Sequence, residues 1–199
     1  SSSSVSKGES LKDTVQNIFA MKMDCVVMRH PSPGSCIQLI EYVDAVVINA
    51  GDGTHEHPTQ ALLDIMSLKE RFKEINNLKI AIIGDVLHSR VALSNIYGLK
   101  KMGADVTLCG PLHLIPKDID KLGVNVISDI DEVIEWADAL NVLRIQRERM
   151  GIGIIPSIRE YRKHFGITEE RIRNHKKEIV IMHPGPMNRG VEIDSSVAD

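Results

Sequence analysis

Ala45-Val46-Val47-Ile48-Asn49-Ala50-Gly51-Asp52-Gly53-Thr54-His55-Glu56-His57-Pro58-Thr59-Gln60 is the stretch that decides the architecture. Residues 45–48 are apolar and mostly β-branched, the composition of a short buried strand. Gly51-Asp52-Gly53 supplies turn residues and stops the run. Residues 59–72 then carry Ala61, Leu62, Leu63, Ile65, Met66, Leu68 and Phe72 at helical spacing. The unit is therefore strand, glycine turn, helix, with a polar cluster at the helix N-terminus. In sheets built this way, ligands gather beyond the carboxyl ends of the strands, where helix N–H groups are open to them.

Upstream, residues 11–23 have the spacing of an amphipathic helix capped by Ser10, and residues 24–28 form a buried-strand pattern ending at Arg29-His30-Pro31. Pro31 and Pro33-Gly34 break that strand and place Arg29 at its exit; residues 35–42 read as a helix and 43–48 as the next strand. This is the βαβ rhythm of a parallel sheet. Two successive strand exits present Arg29 and then His55 and His57, residue types that bind a phosphate or polarise a carbonyl.

Downstream, Asn76-Asn77 marks a turn near which a second domain begins. Residues 79–83 are strand-like, Gly84-Asp85 is a turn, and His88-Ser89-Arg90 opens a helix through Lys101. The unit lacks GxGxxG, so it gives no reason to infer a dinucleotide. Arg90 stands in the first helical turn, where a cation opposes the helix dipole, a mild hint of function. Strands follow at 106–109, 124–127 and 139–145, with Ser128 as the cap of a helix over 130–137. The last of these strands ends in Arg144-Ile145-Gln146-Arg147-Glu148-Arg149, and on an extended segment Arg144 and Gln146 share a face suited to a carboxylate. Residues 150–157 read as a mobile loop, 158–164 as a helix, and Thr168 as the cap of a helix through residue 177. A strand over 179–182 stops at His183-Pro184-Gly185-Pro186, a rigid turn in which the bond before Pro186 is open to the cis form. The expected fold class is α/β with two doubly wound parallel-sheet domains, the first incomplete.

Composition narrows the function classes. The 199 residues carry a net charge of −3, which favours neither nucleic acid nor an anionic membrane as partner. No apolar run approaches the length of a membrane span. Cys25, Cys36 and Cys109 are far apart without CxxC spacing, which suits reduced thiols in a cytoplasmic protein and no metal site. A Ser-rich start without Met reads as part of a longer polypeptide.

Arg29-His30-Pro31, residues 49–60, Gly84-Asp85 through Arg90, Leu143-Arg144-Ile145-Gln146-Arg147-Glu148-Arg149 and His183-Pro184-Gly185-Pro186 occur in an order and spacing that resembles the catalytic chain of the aspartate carbamoyltransferase family. The resemblance implies a partial carbamoyl phosphate-binding domain over 1–58, a connecting helix over 59–75 and an aspartate-binding domain over 76–199. It implies transfer of a carbamoyl group from carbamoyl phosphate to the α-amino group of L-aspartate, a step of pyrimidine synthesis, without metal or cofactor. By the same resemblance Arg29 and His57 stabilise the carbonyl oxygen, while Gln60 and the carbonyls of Pro184 and Gly185 hold the carbamoyl NH2. Arg90 binds the α-carboxylate of aspartate; Arg144, Gln146 and Lys7 of an adjacent chain bind its β-carboxylate, and Ser3 contacts the phosphate. Ser3 and Lys7 acting in trans imply a homotrimer with shared sites, and a regulatory chain or another pyrimidine-pathway enzyme is left open as a partner. The family's Ser-Thr-Arg-Thr phosphate turn and closing helix have no counterpart in these residues, so the 199 residues alone are expected to turn over little. Two alternatives remain at this point: an ornithine carbamoyltransferase-like enzyme, and a non-catalytic fragment or scaffold homologue.

Overall fold

The computed structural model describes residues 10–145, 157–175 and 178–199. The first described element is helix α1 (Leu11–Phe19), whose first turn is capped by the Ser10 hydroxyl accepting from the Asp13 N–H. Strand β1 (Cys25–His30), helix α2 (Ser35–Ile40) and strand β2 (Val46–Asp52) follow, and β1 and β2 pair in parallel. Helix α3 (Pro58–Phe72) leaves this small sheet, starting with proline at a position where its missing N–H costs nothing.

The larger sheet contains β3 (Lys79–Ile83), β4 (Asp105–Cys109), β5 (Asn125–Val126), β6 (Ala139–Val142) and β7 (Val180–Met182), all parallel, in the order β5-β4-β3-β6-β7. The chain first winds outward from β3 through β4 to β5, then returns to β3's other side with β6 and β7. That reversal is the topological switch point of a doubly wound sheet, and it lies between β3 and β6. Alternation along the strands fills both faces. Ile80 and Ile82 join Leu68 of α3 with Ala92, Ile96 and Leu99 of helix α4 (Arg90–Lys101). Ala81, Ile83, Leu140 and Val142 face Ile130, Val133 and Ile134 of helix α5 (Ile130–Trp136). Each fully buried Leu or Ile stabilises the fold by about 1.5–3 kcal/mol, so this sheet carries a complete two-sided core. The small sheet is more open, with Val27 65% and Val46 62% exposed. Helices α6 (Ile158–Phe165), α7 (Glu169–Arg173) and α8 (Ser195–Ala198) complete the described chain.

Several boundaries differ from the sequence expectation for identifiable reasons. Arg29 is the penultimate residue of β1 instead of lying beyond it, and β2 runs on through Asp52 because His30 pairs with Asp52 across the ladder. Helix α1 stops at Phe19, followed by a turn in which Lys22 has φ 59°. Asp129, not Ser128, caps α5, its carboxylate accepting from the N–H groups of Asp131 and Glu132. Strand β6 ends at Val142, so Arg144 lies beyond the strand; Gln146, expected on the same face, lies outside the described residues. Thr168 does cap α7, but that helix ends at Arg173. The expected loop over 150–157 falls almost wholly outside the described residues.

Candidate active site

The turn between β2 and α3 is organised by Asp52, which is 1% exposed. Its carboxylate accepts from the Gly34 N–H (2.7 Å), the Glu56 N–H (3.0 Å) and the Asn49 Nδ2 (3.1 Å), and it meets His55 Nδ1 at 3.1 Å. Burial alone would raise its pKa; the hydrogen bonds from Asn49, Gly34, His55 and Glu56 outweigh that and hold it below the ordinary aspartate value. His55 is thus committed to the turn. Gly53 donates its N–H to the His30 carbonyl at 2.8 Å, which brings the exits of β1 and β2 together.

His57 occupies the N-cap position of α3 and donates its backbone N–H to Ser94 Oγ of α4 at 2.8 Å. Its Nδ1 lies 3.2 Å from Thr59 Oγ1, a contact in which the hydroxyl donates when the imidazole carries its proton on Nε2. Burial, then the positive charges of Arg90 and Arg29, lower the His57 pKa below the ordinary histidine value. The ring is therefore held neutral, as an N–H donor beside two cations.

Arg90 is the first residue of α4 and is 6% exposed. Its Nη1 donates to the Gly53 carbonyl at 3.3 Å, and a Cβ on Gly51 would fall 2.8 Å from its Cζ. Gly51, at φ +116°, is thus the residue whose lack of a side chain lets the guanidinium lie against the turn. Arg144 lies half-buried three residues after Asn141 of β6. Arg90 and Arg144 therefore follow β3 and β6, the two strands that flank the switch point.

Beyond β7, Gly185 has φ +64° and its bond to Pro186 is cis. The Gly185 N–H donates to His183 Nδ1 at 2.9 Å, and His183 Nε2 lies 3.3 Å from Glu192 Oε1. Asn188 donates its Nδ2 to the Ile145 carbonyl at 3.1 Å, tying the Pro184-Gly185 turn to the segment that carries Arg144. The structure thus groups Arg29, His57 and Arg90, and separately links Arg144 with the Pro184-Gly185 turn. Ser3, Lys7 and Gln146 lie outside the described residues. Among the described residues no cluster of three or more His, Cys, Asp or Glu suits a metal ion, and no helix is long and apolar enough to cross a membrane.

Residues 1–70 match the aspartate/ornithine carbamoyltransferase carbamoyl-P binding domain, and residues 76–199 match the Asp/Orn binding domain of the same group. The chain belongs to the aspartate/ornithine carbamoyltransferase family. It is 59% identical over 198 residues to the aspartate carbamoyltransferase catalytic subunit of Christiangramia forsetii, covering 100% of this chain and 64% of that protein. To the same-named subunit of Gemmatimonas aurantiaca it is 57% identical over 197 residues, covering 99% of this chain and 62% of that one. Among solved structures, Trypanosoma cruzi aspartate transcarbamoylase in complex with carbamoyl phosphate superposes with a TM-score of 0.86 at 30% identity, over 98% of this chain and 64% of the other. The chain thus spans a little under two thirds of the length of those relatives.

Sequence reasoning missed the buried carboxylates around these residues. Asp52, Asp64 and Glu192 are all nearly or fully buried and all accept several hydrogen bonds. A signal for one of them was present. Asp64 falls in the apolar stripe Ala61, Ile65, Leu68 of α3, where a charged residue needs a partner.

Proposed function

We propose that the whole protein transfers the carbamoyl group of carbamoyl phosphate to the α-amino group of L-aspartate, giving N-carbamoyl-L-aspartate and phosphate. The observation that carries this reading is the pair of arginines, Arg90 and Arg144, placed after the two strands that flank the switch point. Two guanidinium groups on the acceptor side match an acceptor with two carboxylates, each bound in the bidentate manner that arginine favours. Ornithine has a cationic side chain and would leave one arginine without an opposite charge.

In this mechanism the uncharged amine attacks the carbonyl carbon, and negative charge grows on the carbonyl oxygen. Arg29 and the neutral His57 donate to that oxygen, the kind of preorganised stabilisation that supplies several kcal/mol. Gln60 and the carbonyls of Pro184 and Gly185 take the carbamoyl NH2. Arg90 binds the α-carboxylate, and Arg144 binds the β-carboxylate with Gln146 and with Lys7 of the adjacent chain. The bond from the carbonyl carbon to the phosphate oxygen breaks, and the leaving phosphate takes the amine proton. Attack on an already activated carbonyl requires no covalent intermediate, metal or organic cofactor.

The same reading divides the chain into a carbamoyl phosphate-binding part over 1–58, a connecting helix over 59–75 and an aspartate-binding domain over 76–199. It further implies a cytoplasmic homotrimer acting in pyrimidine synthesis, with Ser3 and Lys7 reaching a neighbour's site. Support for the substrates comes from the T. cruzi relative, whose structure was determined in complex with carbamoyl phosphate and aspartate. The deciding experiment compares acceptors on the whole protein with carbamoyl phosphate as donor. Carbamoyl aspartate should form and citrulline should not; efficient use of ornithine overturns the assignment.

A further inference from the structure

Asp64 of α3, 6% exposed, gathers three side-chain amides. Its Oδ1 accepts from Gln60 Nε2 at 2.9 Å, and its Oδ2 accepts from Asn95 Nδ2 of α4 at 2.7 Å and Asn141 Nδ2 of β6 at 3.0 Å. Asn95 and Asn141 are fully buried, and their Oδ1 atoms have no hydrogen-bond partner among the described residues. A carboxylate can only accept, so each amide must turn its nitrogen towards it. For Gln60 this decides chemistry. With Nε2 held by Asp64, Oε1 faces the opposite way, and an oxygen acceptor is what the NH2 of a carbamoyl group requires.

We propose that Asp64 is a positioning residue for carbamoyl transfer: it fixes the rotation of the Gln60 amide so that Oε1 faces the carbamoyl NH2. This rests on the assignment of Gln60 to that NH2. The two Asp64 oxygens divide their work, Oδ1 serving Gln60 and Oδ2 serving both asparagines, and that division makes the proposal testable by exchange. In Asp64→Asn, an amide that keeps its oxygen towards Asn95 and Asn141 turns its nitrogen to Gln60. Gln60 must then rotate, offering a donor to a donor. In Gln60→Glu two carboxylates face each other. In the double variant Gln60→Glu/Asp64→Asn, the new amide nitrogen donates to one glutamate oxygen, and the other oxygen is returned to the carbamoyl NH2.

The measurement is steady-state kinetics of the whole protein, with thermal melting to confirm folding. Each single variant should lose about 10- to 100-fold in kcat/KM for carbamoyl phosphate, and the double variant should recover to within about 10-fold of wild type. Leu68→Ala, a cavity in the same helix, should lower the melting temperature without that kinetic loss below its transition. A double variant no better than Gln60→Glu alone, or an Asp64→Asn within twofold of wild type, overturns the proposal. Should Asp64→Asn alone fail to fold, the folded double variant set against Gln60→Glu still decides. Failure of the wild type to carbamoylate aspartate sinks the functional reading instead, a result separate from any ratio among variants.

Discussion

His57 shows how far one residue's chemistry is set by its neighbours. Burial and the charges of Arg90 and Arg29 lower its pKa, so the folded protein resists protonating it. As pH falls, the unfolded chain takes up that proton first. The stability linked to this group is therefore full above the ordinary histidine value and is lost as pH drops through the lower folded value. Titration of the His57 ring by NMR should give a midpoint below that of an ordinary histidine, and Arg90→Met should move it upward. A midpoint at or above the ordinary value would show that burial and the two arginines do not lower it. The residue type and its place at a strand-to-helix junction were legible in sequence. Its lowered pKa was not, because that comes first from burial in the folded chain and then from cations 28 residues before and 33 residues after it.

At the scale of elements, local patterning located most strands and helices but not all of their ends. Strand β3 and the last residue of α4 fall where the apolar runs and flanking turn residues put them. Ends were missed where a distant partner decides. Strand β2 continues to Asp52 because β1 lies beside it, and β6 stops at Val142 although its apolar run continues through Leu143. The cap of α5 was missed by one residue, since Ser128 and Asp129 are both good caps in sequence and only the backbone path selects between them. The consequence is measurable by urea denaturation. Asp129→Ala should cost about 1 kcal/mol, while Ser128→Ala should stay within about 0.5 kcal/mol. The reverse ranking would reassign the cap.

For the whole molecule, the proposed trimer makes the strongest demand. If Lys7 acts in a neighbour's site, mixing a Lys7→Ala chain with an Arg90→Ala chain should restore part of the activity that each lacks, because one interface then holds both intact residues. Trimers that form, as judged by light scattering, yet stay inactive would argue against shared sites. By itself the sequence determined the α/β class and the parallel βαβ order, while the roles proposed for Arg29, His57, Gln60, Arg90 and Arg144 rest on the family resemblance. Class and order follow from short-range periodicity and turn residues, all carried within a few positions. Tertiary structure decided what those residues face. Gly51 makes room for Arg90, the switch point between β3 and β6 puts Arg90 and Arg144 in the segments that follow neighbouring strands, and Asp64 joins Gln60 to Asn95 and Asn141, 31 and 77 positions beyond Asp64. Such contacts depend on strand order and on which helix face is buried, which are properties of the closed fold and not of any local stretch.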